Sequence, residues 1–134
     1  MTHRKSLSLN WRRIPERYQL LGNECATCGA VFFPPRALCS KCRRKGTLED
    51  KKLGGLGEVF TFTAVRSPPE GFEHQIPYVL AIVKLKEGPF ITGMVTDVEP
   101  QEVSIGMPVR SVFRRISEDG KHGVINYAFK FVRA

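Results

Sequence analysis

Cys25-Ala-Thr-Cys28-Gly29 and Cys39-Ser-Lys-Cys42-Arg43 decide the fold of the N-terminal part of this 134-residue chain. They contain all four cysteines of the sequence, and ten residues separate them. Because each Cys-x-x-Cys turn directs two sulfurs to one side of a tight loop, two turns can supply the four thiolates of a tetrahedral Zn²⁺ site. Four protein ligands leave no open coordination position, so the spacing predicts a metal that stabilises the fold without catalysing a reaction.

Three other uses of the cysteines compete with zinc. Disulfides need an oxidising compartment, but the N-terminal residues Met1-Thr-His-Arg-Lys-Ser6 lack the apolar segment of a signal peptide. A thioredoxin-type redox pair uses one Cys-x-x-Cys within a βαβ pattern, whereas this sequence has two without that setting. Iron binds the same four sulfurs and stays open as an alternative. The prediction is one structural zinc ion held by four ligands: Cys25, Cys28, Cys39 and Cys42.

The net charge of +8 is confined to the N-terminal part of the chain. Residues 1–52 contain 12 Lys and Arg against 4 Asp and Glu, whereas residues 53–134 contain 9 of each. The basic part is expected to meet an anionic partner, or simply to be a solvated surface. No apolar run approaches the about 20 residues that a membrane helix needs. We therefore expect a soluble, cytoplasmic protein that does not contact a membrane.

The residues before the first cysteine predict short helices. Apolar and aromatic residues recur there at helical spacing. Pro15 excludes one continuous helix, but it suits the first turn of a second short helix. Residues 1–10 show little periodicity and are interpreted as an arm. Trp11 could pack on the ribbon, but so short an arm has little core to bury it, so a contact with a partner or with the second domain is an equal alternative. The recurring residues are Trp11, Ile14, Tyr18 and Leu21.

The C-terminal part predicts a small barrel. Five runs rich in β-branched and aromatic residues are separated by Gly or Pro, and no long helix interrupts them. This pattern favours a five-stranded OB-type barrel over a seven-stranded sandwich. Gly93 inside the third run predicts a bulge or a barrel corner. The runs are 58–65, 78–85, 90–96, 108–116 and 124–132. The expected fold is mainly β, with a helical arm (1–22), a zinc ribbon (23–52) and the barrel (53–134).

Several strings in the sequence resemble one prokaryotic family. They begin with Trp11-Arg-x-Ile-Pro-x-Arg-Tyr-x-Leu-x-Gly-x-x-Cys-x-x-Cys-Gly and continue with Phe33-Pro-Pro-Arg, Gly57-Glu-Val-Phe-Thr-Phe-Thr, Pro69-Glu-Gly-Phe and Pro77-Tyr-Val-Leu-Ala-Ile-Val. Members of this family pair a rubredoxin-like zinc ribbon with an OB-fold and are associated with acyl-CoA enzymes. Within it, the chain looks most like archaeal members that accompany acetoacetyl-CoA thiolase and HMG-CoA synthase in the mevalonate pathway. The resemblance implies a non-catalytic subunit that bridges the two enzymes while acetoacetyl-CoA passes between them.

Coenzyme A gives the basic half of the chain a possible use. Its phosphates favour positive potential at the entrance of an enzyme that handles it, and arginine pairs with phosphate through two hydrogen bonds at once. A CoA thioester at the shared site is therefore one expected ligand, and acidic residues of a partner are the other. The candidate contacts are Arg12, Arg13, Arg36, Arg43 and Arg44, and the candidate docking residues are Trp11 and Tyr18.

Two other functions compete with a scaffold role. OB-folds and zinc ribbons also bind nucleic acid, but the neutral barrel lacks the positive groove that tracks a phosphate backbone. A patch around Arg110, Arg114 and Arg115 could still provide one. A stand-alone acyl-CoA-binding protein would need a closed pocket. The sequence carries no enzyme motif, and its three histidines, His3, His74 and His122, are scattered.

Overall fold

The structure, a computed structural model, describes residues 6–134, which form two compact units divided between Gly54 and Gly55. Residues 1–5, which include His3 and the start of the predicted arm, lie outside the described part. In the first unit, two helices precede a three-stranded antiparallel sheet with the order β2-β1-β3. The elements of this unit are α1 (Leu7–Arg12), α2 (Ile14–Gln19), β1 (Leu21–Cys25), β2 (Val31–Phe32) and β3 (Leu48–Lys52).

The second unit is a closed five-stranded barrel with the strand order β4-β5-β6-β8-β7. The prediction of a mainly β fold with a ribbon and an OB-type barrel is confirmed. A short 3₁₀ turn, Glu73–Gln75, lies in the long loop between the first two strands. The strands are β4 (Leu56–Val65), β5 (Tyr78–Leu85), β6 (Phe90–Val95), β7 (Pro108–Glu118) and β8 (Ile125–Arg133).

Helix α1 begins at Leu7, inside the region interpreted as an arm without periodicity. Ser6 explains the early start, because its hydroxyl accepts a hydrogen bond from the Leu9 backbone N–H at 3.4 Å and caps the helix. Pro15 lies in the first turn of α2, as predicted. Arg17 of α2 donates to the Asn10 side-chain oxygen of α1 at 3.2 Å, so a hydrogen bond links the two short helices.

Strand β3 was missed, because the sequence Leu48-Glu-Asp-Lys-Lys52 reads as a polar exit from the ribbon. All five residues pair with β1, from Leu21 opposite Lys52 to Cys25 opposite Leu48. Lys51 and Glu24 form an ion pair across the two strands at 2.7 Å. The strand is polar because one of its faces meets solvent. Backbone pairing with β1 stabilises it, although its sequence lacks hydrophobic periodicity.

The barrel core follows the alternation of β5, in which Val79, Ala81, Val83 and Leu85 are buried and the residues between them are exposed. Phe131 of β8 is fully buried and is the largest side chain of this core. Close packing of these apolar side chains is what holds a barrel of this size together.

Gly93 is not a bulge, because β6 keeps a continuous register with β5 through it. A Cβ atom at Gly93 would lie 2.8 Å from the Phe131 ring, so the glycine makes room for that ring. The register shifts of the barrel lie instead in β4, between Val59 and Thr61, and in β7, between Arg115 and Ser117.

Two of the barrel strands meet at a single point. Strands β6 and β8 run parallel and pair only at Val95 opposite Phe131, where the Thr96 N–H also donates to the Phe131 carbonyl at 2.8 Å. Every other neighbouring pair in the barrel is antiparallel and pairs at three residues or more. Among residues 6–134, no helix is both long and apolar enough to cross a membrane.

Candidate metal centre

The four cysteines of the ribbon converge on one point. Their sulfur atoms all lie within 4.8 Å of one another, and among residues 6–134 they form the one cluster of metal-ligating side chains. Cys25 and Cys39 are buried, Cys42 is half-buried and Cys28 is exposed. Cys25 ends β1, whereas the other three lie in the two turns that follow it. The sheet thus fixes one ligand and the turns bring the rest to it.

The two Cys-x-x-Cys turns have the same backbone geometry. Gly29 N–H donates to the Cys25 carbonyl at 2.7 Å, and Arg43 N–H donates to the Cys39 carbonyl at 2.8 Å. Both donors have a left-handed backbone, with φ of 74° at Gly29 and 52° at Arg43. Glycine adopts this conformation freely, whereas a residue with a side chain pays about 1–2 kcal/mol for it. Arg43 therefore occupies the position that Gly29 holds in the first turn.

Gly46 is a structural residue of this centre that the sequence did not single out. A Cβ atom there would lie 3.0 Å from the Cys25 sulfur and from the Cβ atoms of Cys39 and Cys42. Any side chain at this position would press against three of the four cysteines. No motif marked Gly46, because it lies outside both Cys-x-x-Cys turns.

Protonation of the sulfurs indicates that the cluster is suited to a cation. The Cys28 backbone N–H lowers the pKa of the Cys25 thiol to about 6, whereas the neighbouring Cys28 thiol raises the pKa of Cys42 to about 12. Four thiols this close cannot all ionise alone, because each thiolate disfavours the next. A divalent cation removes that conflict, and an all-sulfur set suits Zn²⁺ or iron. The residues present therefore fit a structural metal ion.

Asn23 fixes the segment that leads to the second turn. It is 4% exposed and is the one buried polar residue among residues 6–134. Its side chain accepts from the Arg36 N–H at 3.2 Å and donates to the Arg36 carbonyl at 2.7 Å. The Arg36 guanidinium lies 4.9 Å from the centre of the Phe32 ring. This two-bond anchor sets where the chain leaves β2 and approaches Cys39.

The structure divides the candidate arginines between two segments. Arg12 ends α1 and Arg13 lies between the helices, whereas Arg36, Arg43 and Arg44 lie in and just before the second cysteine turn. All five side chains are exposed, so each can meet a ligand, a partner or water.

The candidate docking residues lie on the helices. Trp11 is 78% exposed, and Leu7, one turn earlier on α1, is 66% exposed, so the two form a continuous apolar face on the helix. Tyr18 on α2 is 39% exposed. So large an exposed tryptophan on a six-residue helix is typical of an interaction surface.

The basic patch considered for the barrel is partly neutralised. Arg114 pairs with Asp97 at 3.2 Å, and Arg115 pairs with Glu118 at 3.4 Å. Arg110 lies on β7 and is exposed. Two of the three arginines therefore face a carboxylate of the same unit, which argues against a positive groove for a phosphate backbone.

Comparison with known proteins matches both units. A family model described as "ChsH2, rubredoxin-like zinc ribbon domain" matches residues 12–49. A second, "ChsH2, C-terminal OB-fold domain", matches residues 50–114. A "DUF35 domain-containing scaffold protein" of Methanocaldococcus jannaschii is 52% identical over 127 residues, which cover 95% of this chain and 90% of that protein.

Two further similarities involve enzymes. A "Probable enoyl-CoA hydratase alpha subunit" of Thermomonospora curvata is 30% identical over 102 residues, which cover 74% of this chain but only 30% of that protein. The solved structure of an "Ltp2-ChsH2(DUF35) aldolase" has a TM-score of 0.71 at 26% identity and covers 92% of this chain and 91% of the matched one. Chains of this architecture thus occur both as separate scaffold proteins and within enzyme assemblies.

Proposed function

The chain belongs to the DUF35 family of scaffold proteins, and we propose that it holds acyl-CoA enzymes together. Its rubredoxin-like zinc ribbon precedes an OB-fold domain. The observation that carries the proposal is the 52% identity to a named scaffold protein over nearly the whole of both chains. The hydratase subunit and the aldolase assembly support a partner enzyme, and the hydratase is named for a CoA thioester. The chain itself is non-catalytic in this proposal.

The partners proposed are acetoacetyl-CoA thiolase and HMG-CoA synthase. The sequence motifs in the ribbon and barrel resemble those of archaeal family members that accompany these two enzymes. The scaffold relative from Methanocaldococcus jannaschii is also archaeal. Under this proposal the chain bridges them in the cytoplasm, and acetoacetyl-CoA passes from one to the other without release. Nucleic-acid binding is a weaker candidate, because Asp97 and Glu118 neutralise Arg114 and Arg115 on an uncharged barrel.

Zinc is the metal proposed for the four-cysteine cluster. When bound, it supplies a closed tetrahedral centre that fixes both cysteine turns relative to β1. The match of the zinc-ribbon model to residues 12–49 supports zinc over iron. The ion has a structural role here, so it sets the shape of the ribbon surface that a partner would meet.

Coexpression with both enzymes tests the scaffold proposal. We expect the 15.1 kDa chain to elute with thiolase and synthase as one complex in size-exclusion chromatography, and the purified chain alone to have neither activity. Elution of the chain alone, with both enzymes folded and active, would contradict these partners. Copurification with a different acyl-CoA enzyme would then keep the scaffold role and replace the partners.

The exposed arginines of the second cysteine turn are proposed to act on CoA phosphates. Replacing Arg43 and Arg44 together by Glu reverses two charges at exposed positions, so the ribbon should still fold. We expect the complex to assemble but to bind CoA more weakly and with a smaller salt dependence, because phosphate attraction is lost. Calorimetric CoA titrations at two salt concentrations measure this. Unchanged CoA affinity excludes the phosphate role, whereas loss of assembly indicates a protein contact.

A further inference from the structure

A groove of about 590 Å³ opens on the barrel unit, and all of its lining residues belong to that unit. Its lining comes from the long loop before β5, the start of β5, the end of β6 with the segment after it, the end of β7 and one residue of β8. Its volume lies within the range of about 300–1,000 Å³ that is typical of small-molecule sites. Its lining contains both polar and apolar side chains, and the apolar ones include Tyr78, Met94, Pro100 and Ile116.

Lys130 is one of four Lys, Arg, Asp and Glu residues in the lining of this groove, the others being Asp97, Arg115 and Glu118. Its ammonium donates to the Gln75 side-chain oxygen at 3.3 Å, and the Gln75 amide nitrogen donates to the Ile116 carbonyl at 3.3 Å. Gln75 is thus oriented by β7 and in turn holds the lysine from a loop 55 residues away in sequence. Because the Gln75 side chain is neutral, it does not compensate the positive charge of Lys130.

The carboxylates of the groove are already paired with other cations. Asp97 bonds to Arg114, and Glu118 bonds to Arg115. Within residues 6–134, no carboxylate oxygen comes within 4.0 Å of the Lys130 ammonium. Burial and then the charge of Arg114 lower the pKa of Lys130, although the charge of Asp97 acts in the opposite direction. A half-buried cation without an ion-pair partner therefore faces an open, partly apolar groove.

We propose that this groove binds a small organic anion, whose carboxylate or phosphate group accepts hydrogen bonds from Lys130 and a neighbouring polar side chain. Ser117 provides a hydroxyl on the same lining, and because its oxygen accepts from the Asn126 amide at 3.3 Å, its hydrogen is available to an anion. The apolar side chains of the lining suit the carbon portion of such a ligand. Burial destabilises the charged form of Lys130 in the free protein, and a bound anion would offset this desolvation penalty. None of the four cysteines and none of the candidate docking residues belongs to the lining of the groove.

Binding is tested on the isolated full-length chain with inorganic phosphate and with acetate as separate probes. Backbone amide signals are followed by two-dimensional NMR at constant ionic strength, with chloride as the reference anion. We expect saturable shifts at Gln75, Ser117 and Lys130 with at least one probe. In Lys130→Gln the dissociation constant should rise by about tenfold or more, because a hydrogen bond to a charged group is lost. Lys84→Gln, on the exposed outer face of β5, is the matched control and should bind as the parent does.

The probes distinguish the anion class, and a second variant guards against misfolding. Saturation by phosphate alone assigns the site to phosphate esters, saturation by acetate alone to carboxylates, and saturation by both to anions in general. Gln75→Ala should also weaken binding, because Lys130 loses its orienting partner. Absence of saturable shifts with either probe, or equal affinity in the folded Lys130→Gln variant, overturns the proposal. Neither result bears on complex formation with the enzymes.

Discussion

Removal of the metal will unfold the N-terminal unit and leave the barrel folded. A core of this size supplies about 3–5 kcal/mol at most, whereas binding of a structural zinc ion contributes about 10–16 kcal/mol. Cys25 ends the central strand of the ribbon, so loss of the metal also releases β1 from the cysteine turns. The barrel has its own core around Phe131 and contains none of the cysteines.

Amide NMR spectra before and after addition of a chelator measure this directly. Signals of residues 20–54 should collapse to the narrow range of an unfolded chain, while those of residues 55–134 stay dispersed. Cys39→Ser should reproduce the chelated spectrum and retain little metal, because a four-ligand site loses one thiolate. Ser40→Ala, an exposed change between two ligands, is the control and should keep the metal. Retained dispersion of the ribbon signals after complete metal removal would contradict a metal-dependent fold.

Replacement of Trp11 by alanine will weaken the enzyme complex while leaving the chain folded. The side chain is 78% exposed, so little packing within the described unit is lost. Buried tryptophans at the centre of interfaces contribute about 2 kcal/mol or more, which corresponds to about a 30-fold loss of affinity. Leu7 on the same helix face should extend the contact, and Leu7→Ala is expected to weaken it less.

Surface plasmon resonance on the partner enzymes compares the variants. Trp11→Phe keeps an aromatic ring and should retain most of the affinity. Ile105→Ala removes a side chain that is 71% exposed on the barrel unit, and it controls for the loss of exposed apolar area alone. Equal affinity of Trp11→Ala and the parent chain would place docking elsewhere. An altered unfolding midpoint of Trp11→Ala would instead indicate that Trp11 packs within its own chain.

The barrel could be predicted from the sequence because its strands repeat a simple pattern. Alternation along β5 and the aromatic residues of β8 marked strands that the structure places within two residues of the expected bounds. The four cysteines were equally informative, because metal ligation requires cysteines at a defined spacing in the sequence. Both features are patterns within short stretches of sequence, so they can be recognised without a structure.

The rest depends on contacts between distant residues. β3 is ordered by its ladder to β1, and its own residues carry no apolar alternation. Gly46 matters because three cysteines surround it, although nothing beside it in sequence indicates a metal. Lys130 and Gln75 meet only after the barrel has closed, so neither residue was a candidate. In each case the deciding neighbour lies far along the chain.

The single backbone pairing between β6 and β8 has a consequence for the order in which the barrel assembles. Strands β4, β5 and β6 follow one another as neighbours, and β7 and β8 form a second local hairpin. Local pairings form early because they close short loops, whereas joining β6 to β8 must bring distant residues together. We therefore expect closure at Val95 and Phe131 to be a late step, together with the pairing of β4 and β7, whose residues lie even further apart in sequence. Burial of the Phe131 ring over Gly93 couples that step to completion of the core.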